Sequence, residues 1–151
     1  MNFEIVCISD THAKHRQVMI PECDLLLHAG DISNKGDLHE VLDFFVWFNA
    51  QPAKYKVFIA GNHDFSFEDS GRINKIKDAL LQFDIIYLKD EAIEIEGIKI
   101  YGSPWQPRFY DWAFNLNRGP AIAKKWESIP KDLDILITHG PPHGVLDYTI
   151  Q

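Results

Sequence analysis

The stretch YKVFIAGNHD, residues 55–64, joins a short apolar run to a turn that carries an amide, an imidazole and a carboxylate. The run is too short for a typical helix and stops at Gly61, so it reads as a buried strand delivering Asn62, His63 and Asp64 to its carboxyl end. The same event recurs along the chain. FEIVCIS (3–9) runs into Asp10-Thr11-His12, DLLLHAG (24–30) into Asp31, and LDILITHG (133–140) carries His139. Near-continuous Leu, Ile and Val in these runs predicts a sheet covered on both faces. IIYL (85–88) is a further strand candidate, and EAIEIEGIKIYGS (91–103) alternates around Glu96-Gly97 as a hairpin with a more exposed face.

Helical segments lie between the strands. In DLHEVLDFFVWFNA (37–50), Asp37 stands at an N-cap with Glu40 three residues on, and Leu38, Val41, Leu42, Phe45 and Phe48 form an apolar stripe. GPAIAKKWESIP (119–130) has Pro120 placed for a first turn and Pro130 as a stop; residues 70–82 are a weaker helical pattern. The alternation predicts an α/β domain of layered mixed sheets flanked by helices, with ligands gathering beyond the carboxyl ends of the strands.

The chain of 151 residues reads as one domain spanning 1–151. A net charge of −7 argues against nucleic acid as the default partner, but acidic groups also collect around cations. Cys7 and Cys23 form no disulfide framework, which points to a reducing compartment. The start MNFEIVCISD lacks a basic leader, and no run approaches the roughly 18 apolar residues of a membrane span. The expectation is a cytoplasmic protein without a membrane partner.

An ordinary turn favours Gly, Asn, Asp and Ser but does not select His repeatedly. Asp10 and His12 can converge on one cation just past a strand end, and Asp31 can bridge two through its two oxygens. Asn62 offers an amide oxygen and His139 an imidazole nitrogen. Oxygen and nitrogen donors without thiolates suit Mn²⁺, Fe, Zn²⁺ or Mg²⁺. Two such ions about 3.5–4 Å apart can clamp an in-line phosphoryl displacement.

Asp10-x-His12, Gly30-Asp31, Gly61-Asn62-His63-Asp64 and His139 resemble, in order and spacing, the calcineurin-like metallophosphoesterase superfamily. GSPWQPRFYDWAFN (102–115) and THGPPHG (138–144) are similar to its metallophosphoesterase-domain-containing, class III cyclic nucleotide phosphodiesterase-like branch. The resemblance implies a sandwich fold and two divalent ions, Mn²⁺ foremost. Asp10 and His12 would hold the first ion, Asn62 and His139 the second, and Asp31 both. His63 would face the phosphate and stabilise or protonate the leaving oxygen, with Asp64 as its orienting partner. A metal-bridging hydroxide would be the nucleophile. The implied substrate is a small phosphodiester, either a cyclic nucleotide or an aryl phosphodiester.

The superfamily's final G-H-x-H motif has no counterpart in PPHGVLDYTIQ. The domain is therefore expected to be truncated before it, with a sheet edge left open. Three explanations stand: a fragment of a longer enzyme, a short form with weaker metal binding, or an oligomer or second chain that completes the fold. A metal-binding or interaction module without catalysis is the alternative function. Outside the motifs, His28 reads as a hydrogen-bonded core histidine, and His15 and His39 as surface residues. His143 reads as a loop residue or a group near the metals, and Arg108 as solvated or phosphate-facing. Phe109, Tyr110, Trp112 and Phe114 read as a satellite core ahead of a wall for a substrate ring.

Overall fold

Three of the four strands that run into histidine or aspartate turns are neighbours, and the fourth, which leads to His139, lies in a second sheet. In the computed structural model, which describes residues 2–147, β1 (Ile5–Ile8), β2 (Cys23–His28), β3 (Ala53–Phe58) and β4 (Ile86–Tyr87) form a parallel sheet in that order. A second sheet has the order β5 (Glu91–Ile95), β6 (Ile98–Ser103) and β9 (Ile135–Thr138), with β5 antiparallel and β9 parallel to β6. Between them in sequence, β7 (Gln106–Pro107) and β8 (Asn115–Leu116) make a short parallel pair. Met1 and residues 148–151, the last of the expected 1–151 domain, lie outside the described residues.

Period-two alternation separates two cores. Leu26 and Phe58 point to one face of the parallel sheet, where α1 (Leu38–Asn49) and α2 (Ile73–Leu80) supply Val41, Phe44, Phe45, Phe48 and Ile76. Leu25, Leu27 and Val57 point to the other face and meet Ile95, Ile100 and Ile137 of the second sheet. Tyr101, beside inward Ile100, reaches Ser128 just past α3 (Pro120–Glu127), which buries Ile122. The result is the expected layered sandwich of sheets with flanking helices. Among the described residues, no helix is long and apolar enough to cross a membrane.

Local chemistry explains the joints. Asp37 caps α1 by accepting from the His39 N–H at 2.8 Å. The capping box is not completed: the Glu40 carboxylate accepts from Asn34 N and Nδ2 at 2.9 and 2.7 Å instead. Glu96 and Gly97 both have positive φ, 51° and 83°, as a two-residue hairpin turn requires.

Two expectations need correction. The sheet is not covered on both faces along β1, where Ile5 and Cys7 are exposed. They lie beside Leu25 and Leu27, on the face covered by the second sheet, and that sheet ends in the described residues at β9. His15 is not a surface residue. Its ring is fully buried between Phe44 and Trp47, and Nε2 lies 2.9 Å from Asp43 Oδ2, because a 3₁₀ turn at His15–Gln17 tucks the side chain against α1. His39 is exposed, as read.

Candidate metal centre

Backbone hydrogen bonds lock the first two strand exits together. The N–H groups of Asp10, His12 and Ala13 donate to the carbonyls of Gly30, Asp31 and Ile32, each at 3.0 Å. Asp10, His12, Ala13 and Asp31 all have φ between 41° and 58°, a region L residues occupy at a cost of roughly 1–3 kcal/mol each. The third exit approaches so closely that only glycine fits. A Cβ on Gly61 would sit 2.3 Å from Asp31 Oδ1, and one on Gly30 would sit 2.8 Å from both Gly61 and His139 Nδ1.

This frame sets Asp31, only 3% exposed, at the centre of the site. Its Oδ2 lies 3.6 Å from His12 Nε2, 3.4 Å from His139 Nε2 and 3.9 Å from His63 Nε2. Asp10 Oδ1 is 3.9 Å from His12 Nε2, and Asn62 Oδ1 is 2.9 Å from His139 Nε2. Metal–ligand bonds of about 2.0–2.2 Å hold adjacent donors roughly 3–3.5 Å apart. The short Asp31–histidine separations are of that size, so the donor set fits divalent cations. Two clusters have ligand atoms within 4.8 Å of one another, His12-Asp31-His63 and Asp10-Asp31-His139. Asp31 belongs to both, as a bridging carboxylate must. The other donors are divided differently from the resemblance: His63, expected outside the ligand set, stands within reach of the first cluster.

Electrostatics agree with a cation-ready site. Burial pushes the Asp31 pKa up, but the hydrogen bond and charge of His139 and the His63 N–H outweigh it, leaving it below the ordinary carboxylate value. Burial pushes His139 down, yet Asp31 carries it up to about 9. Two of the imidazoles are oriented through their other nitrogen. His139 Nδ1 donates to the Ala29 carbonyl at 2.8 Å and His63 Nδ1 to the Asn34 carbonyl at 2.7 Å, which turns both Nε2 atoms towards Asp31.

The gathering of donors at strand ends has a sequence counterpart. Residues 3–150 match the family model of the calcineurin-like phosphoesterases. The chain belongs to that family. It is 42% identical to metallophosphoesterase domain-containing protein 1 of Homo sapiens and of Mus musculus, over 95% of this chain and 50% of theirs. A relative from Caenorhabditis elegans is 39% identical over 95% of this chain and 55% of its own. The chain thus spans about half the length of the curated relatives it matches.

In this phosphoesterase-family chain Asp64 does not orient His63. It is fully buried, and its carboxylate accepts from Gly61 N (2.8 Å), Ile32 N (3.2 Å), Ser33 N (2.9 Å) and Ser33 Oγ (2.6 Å). Burial pushes its pKa up, against the pull of those donors. Asp64 therefore clamps the exit of β3 to the loop after β2, and the Asn34 carbonyl takes the orienting role. His28 is the buried, bonded core histidine that the sequence suggests. Its Nδ1 accepts from Gly30 N at 3.3 Å, so Nε2 carries the proton towards Thr11 Oγ1 at 3.0 Å. It thereby ties together the two loops that bear Asp10, His12 and Asp31. His143 is 97% exposed and pairs with Asp147, away from the cluster. Arg108 pairs with Asp111. Sequence reasoning misses Thr11, Ser33 and Asn34, since backbone carbonyls and short hydroxyls carry no residue-type signal on their own.

Proposed function

We propose that this chain is the metal-binding, catalytic part of a phosphodiesterase that uses two divalent cations, Mn²⁺ foremost. The observation that carries this reading is Asp31, a buried carboxylate shared by two His/Asp clusters. Asp10, His12, Asp31, Asn62 and His139 would hold the ions. When bound, the cations supply an activated water and neutralise charge on the phosphoryl oxygens. The chain's own residues do the rest. Asp31, kept ionised by its neighbours, gathers positive charge where the phosphate must sit. His63 bonds the Asn34 carbonyl through Nδ1, so Nε2 is the atom able to hold a proton facing the site. That proton goes to the leaving oxygen, a step worth about 10²–10⁴-fold in rate. The substrate would be a small phosphodiester rather than nucleic acid, given the net charge of −7. Free Cys7 and Cys23 support a reducing, cytoplasmic setting.

Hydrolysis of bis(p-nitrophenyl) phosphate tests the reading. Turnover should require added Mn²⁺ and disappear in Asp31→Ala. Full turnover after EDTA treatment without restored metal would refute it. Few protein donors per cation, together with the exposed β9 residue Leu136 at a sheet edge, favour one second reading. In it the chain is a metal-binding or interaction module completed by an oligomer or another chain. Calorimetric metal uptake without turnover of any phosphoester would mark that case.

A further inference from the structure

Glu40 grips Asn34 by backbone and side chain at once. Its carboxylate accepts from Asn34 N at 2.9 Å through Oε2 and from Asn34 Nδ2 at 2.7 Å through Oε1. Among the described residues, the other hydrogen bond of Asn34 is the one its carbonyl accepts from His63 Nδ1 at 2.7 Å. The neighbours of Asn34 are pinned separately, Ser33 by Asp64 and Gly36 by Ser33 Oγ, whereas Asn34 and Lys35 form an exposed step in the loop. Glu40 reaches that step from a fixed element. It lies in the first turn of α1, whose Val41, Phe44, Phe45 and Phe48 are buried and whose cap is Asp37. A glutamate at this position commonly returns to the N–H of the cap residue. Here both oxygens go to a residue six positions back.

The grip matters because of the shape of the imidazole. His63 packs between Trp112, with centroids 4.2 Å apart, and the edge of His12, at 4.6 Å. These contacts fix the plane of the ring but not its sense. A half-turn about Cβ–Cγ puts Cε1 where Nε2 was and leaves the outline almost unchanged, so packing does not choose between them. The partner of Nδ1 does choose. A flipped ring deprives the Asn34 carbonyl of its donor and turns a carbon towards Asp31, whose Oδ2 lies 3.9 Å from Nε2. We infer that Glu40 is a positioning residue: through Asn34 it holds the carbonyl that makes His63 present Nε2, and not Cε1, to the metal centre. The consequence for turnover rests on the phosphoester reading above, in which His63 delivers a proton to the leaving oxygen. The positioning itself does not.

Two readouts test it. Ring-nitrogen NMR on the metal-free chain reads which nitrogen of neutral His63 carries the proton, with the signal assigned by its loss in His63→Gln. Wild type should be mostly Nδ1–H, and Glu40→Ala should become mostly Nε2–H, the form favoured by a histidine without a partner. Glu40→Gln should keep the wild-type form, since Asn34 can flip its amide and offer Oδ1 to the new N–H group. Turnover of the Mn²⁺-loaded chain is the second readout. Nitrophenolate leaves readily without a proton and phenolate does not. Glu40→Ala should therefore lose about tenfold on diphenyl phosphate and change little on bis(p-nitrophenyl) phosphate. Glu40→Gln should restore the wild-type ratio of the two rates. An equal loss on both substrates, a Glu40→Gln variant as impaired as Glu40→Ala, or an unaltered His63 tautomer in Glu40→Ala overturns the positioning. A wild-type chain that turns over neither substrate refutes the phosphoester reading alone, and the tautomer then decides the positioning.

Discussion

Replacing Asp64 by asparagine removes a charge and one acceptor from a buried cradle that holds two strand exits together. Four donors converge on the carboxylate: Gly61 N, Ile32 N, Ser33 N and Ser33 Oγ. With the amide nitrogen at the Oδ2 position, Gly61 and Ile32 lose their acceptor. At the Oδ1 position Ser33 N loses its acceptor, while its hydroxyl can rotate to accept. One or two buried N–H groups are thus left unsatisfied, at about 1–3 kcal/mol each. The expected loss is about 2–4 kcal/mol, read as a lower urea midpoint by tryptophan fluorescence on metal-free protein. Mn²⁺ affinity should fall too, because the clamp aligns the Asp31 and Asn62 loops. Were Asp64 instead a proton-transfer partner of His63, the midpoint would stay put and the pH profile of turnover would shift. An unchanged midpoint refutes the clamp.

Two further substitutions probe the same frame. Burial drives the His28 pKa from 6.5 down to about 3, chiefly by desolvation and then by the neighbouring charges of His139 and His15. Below pH 6.5 the unfolded chain binds the extra proton and the folded chain does not, so stability falls as pH falls. The metal-free protein should lose about 2 kcal/mol between roughly pH 6.5 and 5, and His28→Gln should flatten that slope in urea titrations. A slope unaltered by the substitution contradicts the assignment. Gly61→Ala puts a methyl group 2.3 Å from Asp31 Oδ1 and 2.4 Å from its backbone nitrogen. It should destabilise by about 1–3 kcal/mol and weaken Mn²⁺ binding in calorimetry; wild-type affinity would show that the exits need not approach so closely.

The fold is legible in the sequence where one residue type does one job. A run such as Leu25-Leu26-Leu27, closed by a glycine turn, reads as buried strand, and histidine after strand after strand has no turn-forming reason to recur. Those three leucines and the ligand candidates Asp31 and His139 fall where the patterns put them. What stays hidden depends on partners that sequence does not tag. The resemblance implies Asp64 as a partner of His63, yet adjacent side chains leave a turn in different directions. The Asn34 carbonyl that orients His63 has the same chemistry as any other carbonyl. His15 reads as solvated among Lys14 and Arg16, but the 3₁₀ turn buries it alone of the three. Phe109 and Tyr110 read as core by composition, and only the loop's left-handed residues and the Asn115 bonds turn them outward.

A calorimetric Mn²⁺ titration of the wild-type chain and of Asp31→Asn tests the central claim most directly. A carboxylate shared by both clusters predicts two ions bound to the wild type and loss of both in the variant, which keeps one oxygen but no charge to bridge them. Two ions bound with unchanged affinity in Asp31→Asn, or none bound to the wild type, would contradict it.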